Sequence, residues 1–316
     1  MSDPPGRGWL PARVRQAAGG EPMLDWVHLG DRRLTEPFYE DSVARARREA
    51  PSASVSTPLA DLASWTDRPA SLEPTGLIFH MSRCGSTLIS QMLVASSANI
   101  VVSEASPIDA VVRLEASEDE RMALLRAMVG ALGQARTPGE TRYFLKLDSW
   151  HACALPLFRR AFPHTPWAFL YREPAAVMVS HARRTGMQMV SQLVPPGFYG
   201  LDGGGQTWGE DYFAQVLGRI CEAVVSEYPG GGLLVNYDAL PHAVWTRLLP
   251  HFGITPALGE VEAMAAASSF DAKAPGVRFT PDTATKRAAA TPAIEAAVQR
   301  HLAGIYAQLE ALRRAL

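Results

Sequence analysis

Residues 76 to 94, GLIFHMSRCGSTLISQMLV, constrain this chain more than any other stretch. A short apolar run, Leu77-Ile78-Phe79, predicts a buried strand, and a tight turn follows from His80 to Gly85. Ser86 and Thr87 then open a segment whose apolar residues, Leu88, Ile89, Met92 and Leu93, recur with the period of a helix. Strand, tight loop and helix N-terminus in that order make an anion site. The first N–H groups of a helix have no partners inside it, and the helix dipole favours negative charge there. Arg83 adds a planar fork suited to phosphate or sulfate oxygens, and Ser86 and Thr87 add hydroxyl donors. A helix merely capped by Ser86 or Thr87 would leave the same trace.

The residues missing from this loop narrow the ligand. A nucleoside-triphosphate loop reads G-x-x-x-x-G-K-[ST]. Here Ser86 stands where the Lys would be, and His80 stands where the first Gly would be. G-x-G-x-x-G is absent too. The loop therefore suits a monophosphate or phosphosulfate better than ATP.

With 316 residues, 47% of them hydrophobic, the chain can bury a large α/β core. Its net charge is −2 (30 basic minus 32 acidic), and no basic stretch is interleaved with aromatics, so no nucleic-acid partner is expected. The RARR cluster at 45–48 reads as a solvated helix face. No signal-like apolar start and no membrane-length apolar run occurs, so no membrane partner is expected either. Three cysteines make no disulfide framework, which points to a reducing cytoplasm.

Two regions are expected. Residues 1–72 carry Trp9, Trp26 and Trp65 and predict a mainly helical extension, with short helices over 10–18 and 41–49, that shapes substrate access. A linker at 69–74 leads into a nucleotide-binding catalytic region, 73–316, where strands over 100–103, 143–147, 167–171 and 233–236 alternate with helices. That alternation predicts an α/β fold, a P-loop-like three-layer sandwich with a parallel sheet of about five strands and helices on both faces. Ligands on such sheets sit at the carboxyl ends of the strands. A mobile loop is expected over 191–207 and one long helix over 292–316.

The fourth strand of this region runs into YREPAAVMVSHARR, which sets Arg172 at its carboxyl end and Ser180 two turns into the next helix. An Arg and a Ser converging beside the first loop could hold a second phosphate. On these residues, Arg83-Cys84-Gly85-Ser86-Thr87 and the Arg172–Ser180 pair, the sequence resembles the sulfotransferase superfamily over roughly 76–252. Its motifs are most similar to those of bacterial sulfotransferases of the tyrosylprotein-sulfotransferase type. The resemblance implies 3′-phosphoadenosine 5′-phosphosulfate (PAPS) as co-substrate, with the loop on its 5′-phosphosulfate and Arg172 with Ser180 on its 3′-phosphate. No metal is required under that reading.

Cys84 stands where the family has Ser or Thr. Beside Arg83 and a helix N-terminus its thiol is expected to be acidified, unless it serves as a spacer giving only its N–H. Glu104 ends the second strand and is the implied base for the acceptor proton; Glu104 or Asp109 could instead cap the helix starting near Pro107. His151 is the rival base. Lys146 ends an apolar strand where a core Lys is unexpected, and the resemblance gives it the charge of the transferring group, with Asp148 orienting it. In the C-terminal loop Lys273, Arg278, Lys286 and Arg287 are candidates for the 3′-phosphate or the adenine edge. His80 and His181 read as loop or packing residues, Tyr237 and Leu240 as packing, and Asp238 as a helix cap.

The expected function is sulfuryl transfer from PAPS to an acceptor hydroxyl or amine, on a small molecule or a peptide side chain. The acceptor surface is expected in the N-terminal extension and the 187–207 loop, where Trp26, Phe198, Tyr199 and Trp208 are either apolar lining or core. A P-loop kinase using ATP–Mg²⁺ and a non-catalytic nucleotide-binding protein of the same fold are the alternatives. A homodimer is compatible with such a chain.

Overall fold

Two sheets organise the chain. A computed structural model describes residues 5–17, 20–50, 54–65, 71–202, 205, 207–272, 276–278, 280 and 282–315. The first sheet is antiparallel, in the order β1 (Trp9–Gln16), β2 (Pro22–His28), β3 (Ser54–Pro58). The second is parallel and holds β4 (Gly76–His80), β5 (Asn99–Ser103), β6 (Arg142–Lys146), β7 (Trp167–Tyr171) and β8 (Leu233–Asn236). Its spatial order is β5-β6-β4-β7-β8.

Every residue of β4, β5, β7 and β8 is buried. That is why these strands read as unbroken apolar runs rather than as alternation. The connection from β4 to β5 passes over β6, and the connection from β6 to β7 passes over β4 in the opposite direction. Right-handed crossovers in opposite directions put helices on both faces of the sheet. Helix Ser86–Val94 packs with Leu258–Ser268, while Glu118–Leu132 packs with Leu155–Ala161, and Glu210–Glu227 with Pro292–His301. Among the described residues no helix is long and apolar enough to cross a membrane.

The strand order decides the site. It aligns the carboxyl ends of β5, β6, β4 and β7, so Glu104, Lys146, His80 and Arg172 share one edge. β5 and β6 end in register, with Ser103 opposite Lys146, and Glu104 N–H donates to the Lys146 carbonyl at 2.7 Å.

The N-terminal extension corrects the expectation of a mainly helical segment. Residues 10–16 carry good helix formers (Ala, Arg, Gln), yet they lie in β1, paired with β2 from Trp9 opposite His28 to Gln16 opposite Pro22; Ala18, the expected end of that helix, lies outside the described residues. Tertiary partners override the local preference. Tyr39 Oη donates to the Pro11 carbonyl at 2.6 Å, and Trp26 Nε1 donates to Thr57 Oγ1 at 2.9 Å. The helix expected over 41–49 is present as Tyr39–Glu49. β1 lies against helices Ser106–Val112 and Glu118–Leu132, and one buried apolar cluster runs from Leu10 and Trp26 through Ile78 and Phe169 to Leu309. Arg33 donates to the Val94 and Ser96 carbonyls at 2.9 and 2.6 Å, which ties the extension to the end of the helix after β4.

Two other expectations change. The long helix over 292–316 is two helices, Pro292–His301 and Ala303–Arg314, with Leu302 between them at φ −120° and buried. The 191–207 loop contains a short 3₁₀ turn, Pro196–Tyr199, whose Tyr199 is buried.

Candidate functional site

The anion loop is built on unusual backbone. Ser82 and Arg83 take φ of 79° and 50°, and Glu104 takes 55°; they are the non-glycine residues with positive φ among the described residues, and all three sit at this one site. Such conformations cost on the order of 1–3 kcal/mol each and persist where function or surrounding structure holds them. Gly85, at φ 87°, caps helix Ser86–Val94. A Cβ there would meet Leu240 Cδ1 at 2.8 Å and Tyr237 Cδ2 at 2.9 Å, so the close approach also demands glycine. Ser86 and Thr87 are therefore the first helical residues, not the cap.

Of the two readings of Cys84, the geometry fits the spacer and not the acidified thiol. Cys84 points into the core, fully buried, and its Sγ lies 3.2 Å from the Leu170 carbonyl. Burial pushes its thiol up to about 12, despite the neighbouring N–H groups and Arg172. It is a spacer in the loop, not an activated thiol.

Beyond the loop lies a first cavity of ≈ 200 Å³, lined by Arg83, Gly85, Ser86, Thr87, Arg172, Ser180 and Lys286. Of the sequence-predicted anion ligands these seven come together; the Cys84 side chain is buried away from the cavity, and Lys273 lies outside the described residues. Arg278 and Arg287 are exposed and do not line the cavity. Arg172 is 3% exposed. Its Nη2 donates to Asp282 Oδ1 at 2.8 Å and to Thr283 Oγ1 at 2.7 Å, and its guanidinium lies 4.0 Å from the Tyr237 ring centroid. Lys286 Nζ reaches the other Asp282 oxygen at 2.7 Å. Burial would raise the Asp282 carboxyl, but Lys286 and Arg172 hold it below its ordinary value. Arg172 Nε is buried with no hydrogen-bond partner among the described residues, an unspent donor that suits an anion.

At the ends of β5 and β6, Lys146 Nζ stands 2.7 Å from Glu104 Oε1, and His80 Nε2 stands 3.3 Å from the same oxygen. Lys146 also lies 4.9 Å from the centroid of the Phe38 ring. Burial alone would raise the Glu104 carboxyl; the Lys146 ammonium and His80 more than offset it and hold the group well below the carboxylate range. Lys146 pairs with Glu104, not with Asp148 as expected. Burial, together with the charges of Glu104 and Asp109, drives the Asp148 carboxyl well above its usual value.

Neither Glu104 nor Asp109 caps helix Ser106–Val112, whose N-cap is Ala105. Asp109 instead lies 2.6 Å from Trp150 Nε1 and 3.1 Å from His151 Nε2. His151 is 1% exposed and lines neither cavity named here, so the structure does not bring the rival base to the site. Asp238 does not cap either; the Asn236 side chain accepts the Asp238 N–H at 3.1 Å.

A second cavity, ≈ 520 Å³, opens on the Glu104 side and is lined by Phe38, His80, Glu104, Asp148, Trp150, Met187 and Gln188, with Glu40, Asp41 and Arg184 beside them. Arg83, Ser86 and Thr87 line both cavities. Trp26, Phe198, Tyr199 and Trp208 line neither. His80, Phe38, Tyr237 and Asp282 are the site residues that sequence reasoning missed. His80 left one trace, a polar residue closing an apolar strand directly before an anion loop. Asp282 left none, being 110 residues from Arg172.

No family model matches the chain, and no curated protein matches it in sequence. Among solved structures it is similar to a sulfotransferase domain from the curacin biosynthetic pathway, at 18% identity and a TM-score of 0.49, over 76% of this chain and 98% of that one. It is also similar to a sulfotransferase domain from the Synechococcus PCC 7002 olefin synthase, at 16% identity and a TM-score of 0.45, over 74% of this chain and 94% of that one. Both are sulfotransferase domains. Likeness at this level is silent on donor and acceptor, which rest on the site residues.

Proposed function

We propose that this chain transfers a sulfuryl group from PAPS to an acceptor hydroxyl or amine. The observation that carries the reading is the junction of the two cavities. Arg83, Ser86 and Thr87 line both, with Lys286 and buried Arg172 lining one and Glu104 lining the other, paired with Lys146, which is itself fully buried and lines neither. A donor anion and an acceptor would meet there.

When bound, the donor supplies an activated sulfuryl group on its 5′-phosphate. The N–H groups of 84–87 and the Arg83 guanidinium would hold the 5′ end. Arg172, Ser180 and Lys286 would hold the 3′-phosphate. Lys146 offsets the negative charge that grows as the sulfur–oxygen bond to the phosphate breaks. Glu104 takes the proton of the acceptor as its oxygen or nitrogen bonds to sulfur, and the electron pair of the broken bond stays on the phosphate. A kinase would need a Lys after Gly85, where Ser86 stands.

Thermal unfolding with adenosine 3′,5′-bisphosphate tests the reading. At a hundredfold excess over its Kd the nucleotide adds about 2.7 kcal/mol of stability, and ATP–Mg²⁺ should add less. Greater stabilisation by ATP–Mg²⁺ would support the kinase instead. Glu104→Gln should lower turnover by roughly 10²- to 10⁴-fold with bisphosphate affinity nearly intact; full activity would remove Glu104 from the role of base.

A further inference from the structure

We infer that His80 is a positioning residue, which locks one oxygen of Glu104 and ties the base to the backbone of the anion loop. The contacts run in one line. The Ser82 N–H donates to His80 Nδ1 at 3.1 Å, and His80 Nε2 faces Glu104 Oε1 at 3.3 Å. His80 is 4% exposed and lines the acceptor cavity.

The tautomer follows from these contacts. A ring nitrogen that accepts an amide N–H carries its lone pair, so the neutral ring has its proton on Nε2, the nitrogen that stands 3.3 Å from Glu104 Oε1 without a closed hydrogen bond in this structure. Burial lowers the proton affinity of His80, although Glu104 pulls the other way, so the ring stays neutral and does not compete for the acceptor proton. Lys146 holds the same oxygen, Oε1. Both partners on one oxygen leave Oε2 for the acceptor.

The arrangement answers a need of the proposed chemistry, and on this point the inference rests on the sulfuryl-transfer reading. Lys146 cannot stay fully engaged with Glu104 while it offsets charge on the transferring group. As it turns away, the proton affinity of Glu104 rises, which a base requires. Without a second partner the carboxylate would also lose its aim; His80 keeps Oε1 fixed. The positive-φ residues stand at both ends of the line, Ser82 and Arg83 in the loop and Glu104 at the base. The charged and titratable groups around Glu104 are Lys146 from β6, His80 from β4, Arg83 from the loop and Asp148 after β6.

The test has two arms on the whole chain. In the first, nitrogen NMR of histidine-labelled protein reads the ring directly: the expected result is a neutral His80 protonated at Nε2 near neutral pH. Protonation at Nδ1, or a doubly protonated ring, overturns the inference whether or not the protein transfers sulfate. In the second, wild type, His80→Ala and His80→Gln are compared by carboxyl NMR titration of Glu104 and by the pH profile of kcat. Gln keeps an amide donor where Nε2 stands. His80→Ala should move the Glu104 titration and the acid limb of the profile to higher pH and lower kcat about tenfold, the scale of one lost hydrogen bond, with KM for the nucleotide unchanged. His80→Gln should restore most of both. An unmoved Glu104 titration in a folded His80→Ala protein overturns the positioning role. Absent sulfuryl transfer in wild type, with the tautomer and titration as expected, would instead overturn the reaction.

Discussion

Glu104 and Asp148 line one cavity, and their surroundings push them in opposite directions. Two carboxylates this close in a buried site do not both ionise easily. Glu104 has Lys146 and His80, so it carries the charge. Asp148 has burial and two negative neighbours, so its proton is retained. The folded state therefore holds a proton that the unfolded chain releases above about pH 4. Stability linked to Asp148 is fully present below that pH and is lost as pH rises through the raised folded value. Asp148→Asn should match wild type near pH 4 and be the more stable of the two at neutral pH; urea unfolding at both pH values measures this, and a wild type more stable than the variant at neutral pH would contradict it. At this scale the sequence was most legible for Arg83, Glu104, Lys146, Arg172 and Ser180, because each follows a strand end or opens toward the loop. His80 read as a loop or packing residue because its contact with Glu104 comes from another strand.

At the scale of elements, the segment from Asp282 into helix Thr283–Ala288 deserves its own test. Asp282 already engages Arg172 and Lys286 with a carboxylate, in the place expected for the second phosphate. It thus competes with that phosphate for the same two cations. Asp282→Asn should tighten adenosine 3′,5′-bisphosphate several-fold and leave the 5′-monophosphate unchanged, while Arg172→Ala should weaken the bisphosphate by about tenfold or more. Titration calorimetry with both nucleotides decides it; a weaker bisphosphate with Asp282→Asn would show that Asp282 supports the site. The sheet strands were legible within one or two residues because buried parallel strands are apolar throughout. β1 was not, since its residues favour a helix and only pairing with β2 makes it a strand.

For the whole molecule, the extension is part of the core and not an appendage to it. Arg136 and Glu140, both fully buried in their side chains, pair at 3.6 Å, and Arg7 donates to the Arg136 carbonyl at 2.7 Å. Glu140 also accepts the N–H groups of Arg136 and Thr137 at 2.7 and 3.1 Å. Glu140→Ala would strand a buried guanidinium and should cost about 3–5 kcal/mol; denaturant unfolding unchanged from wild type would refute that. The sequence by itself determined the alternating α/β order, the anion loop and the charged residues at strand ends. These are local signals: apolar runs, a glycine, a helix start. Only the tertiary structure decided that 10–16 is a strand, that Phe38 lines the second cavity, that Asp282 holds Arg172, and that His80 and Lys146 meet on one oxygen of Glu104. Each of those depends on strand order and long-range packing, which bring together residues that no local pattern connects.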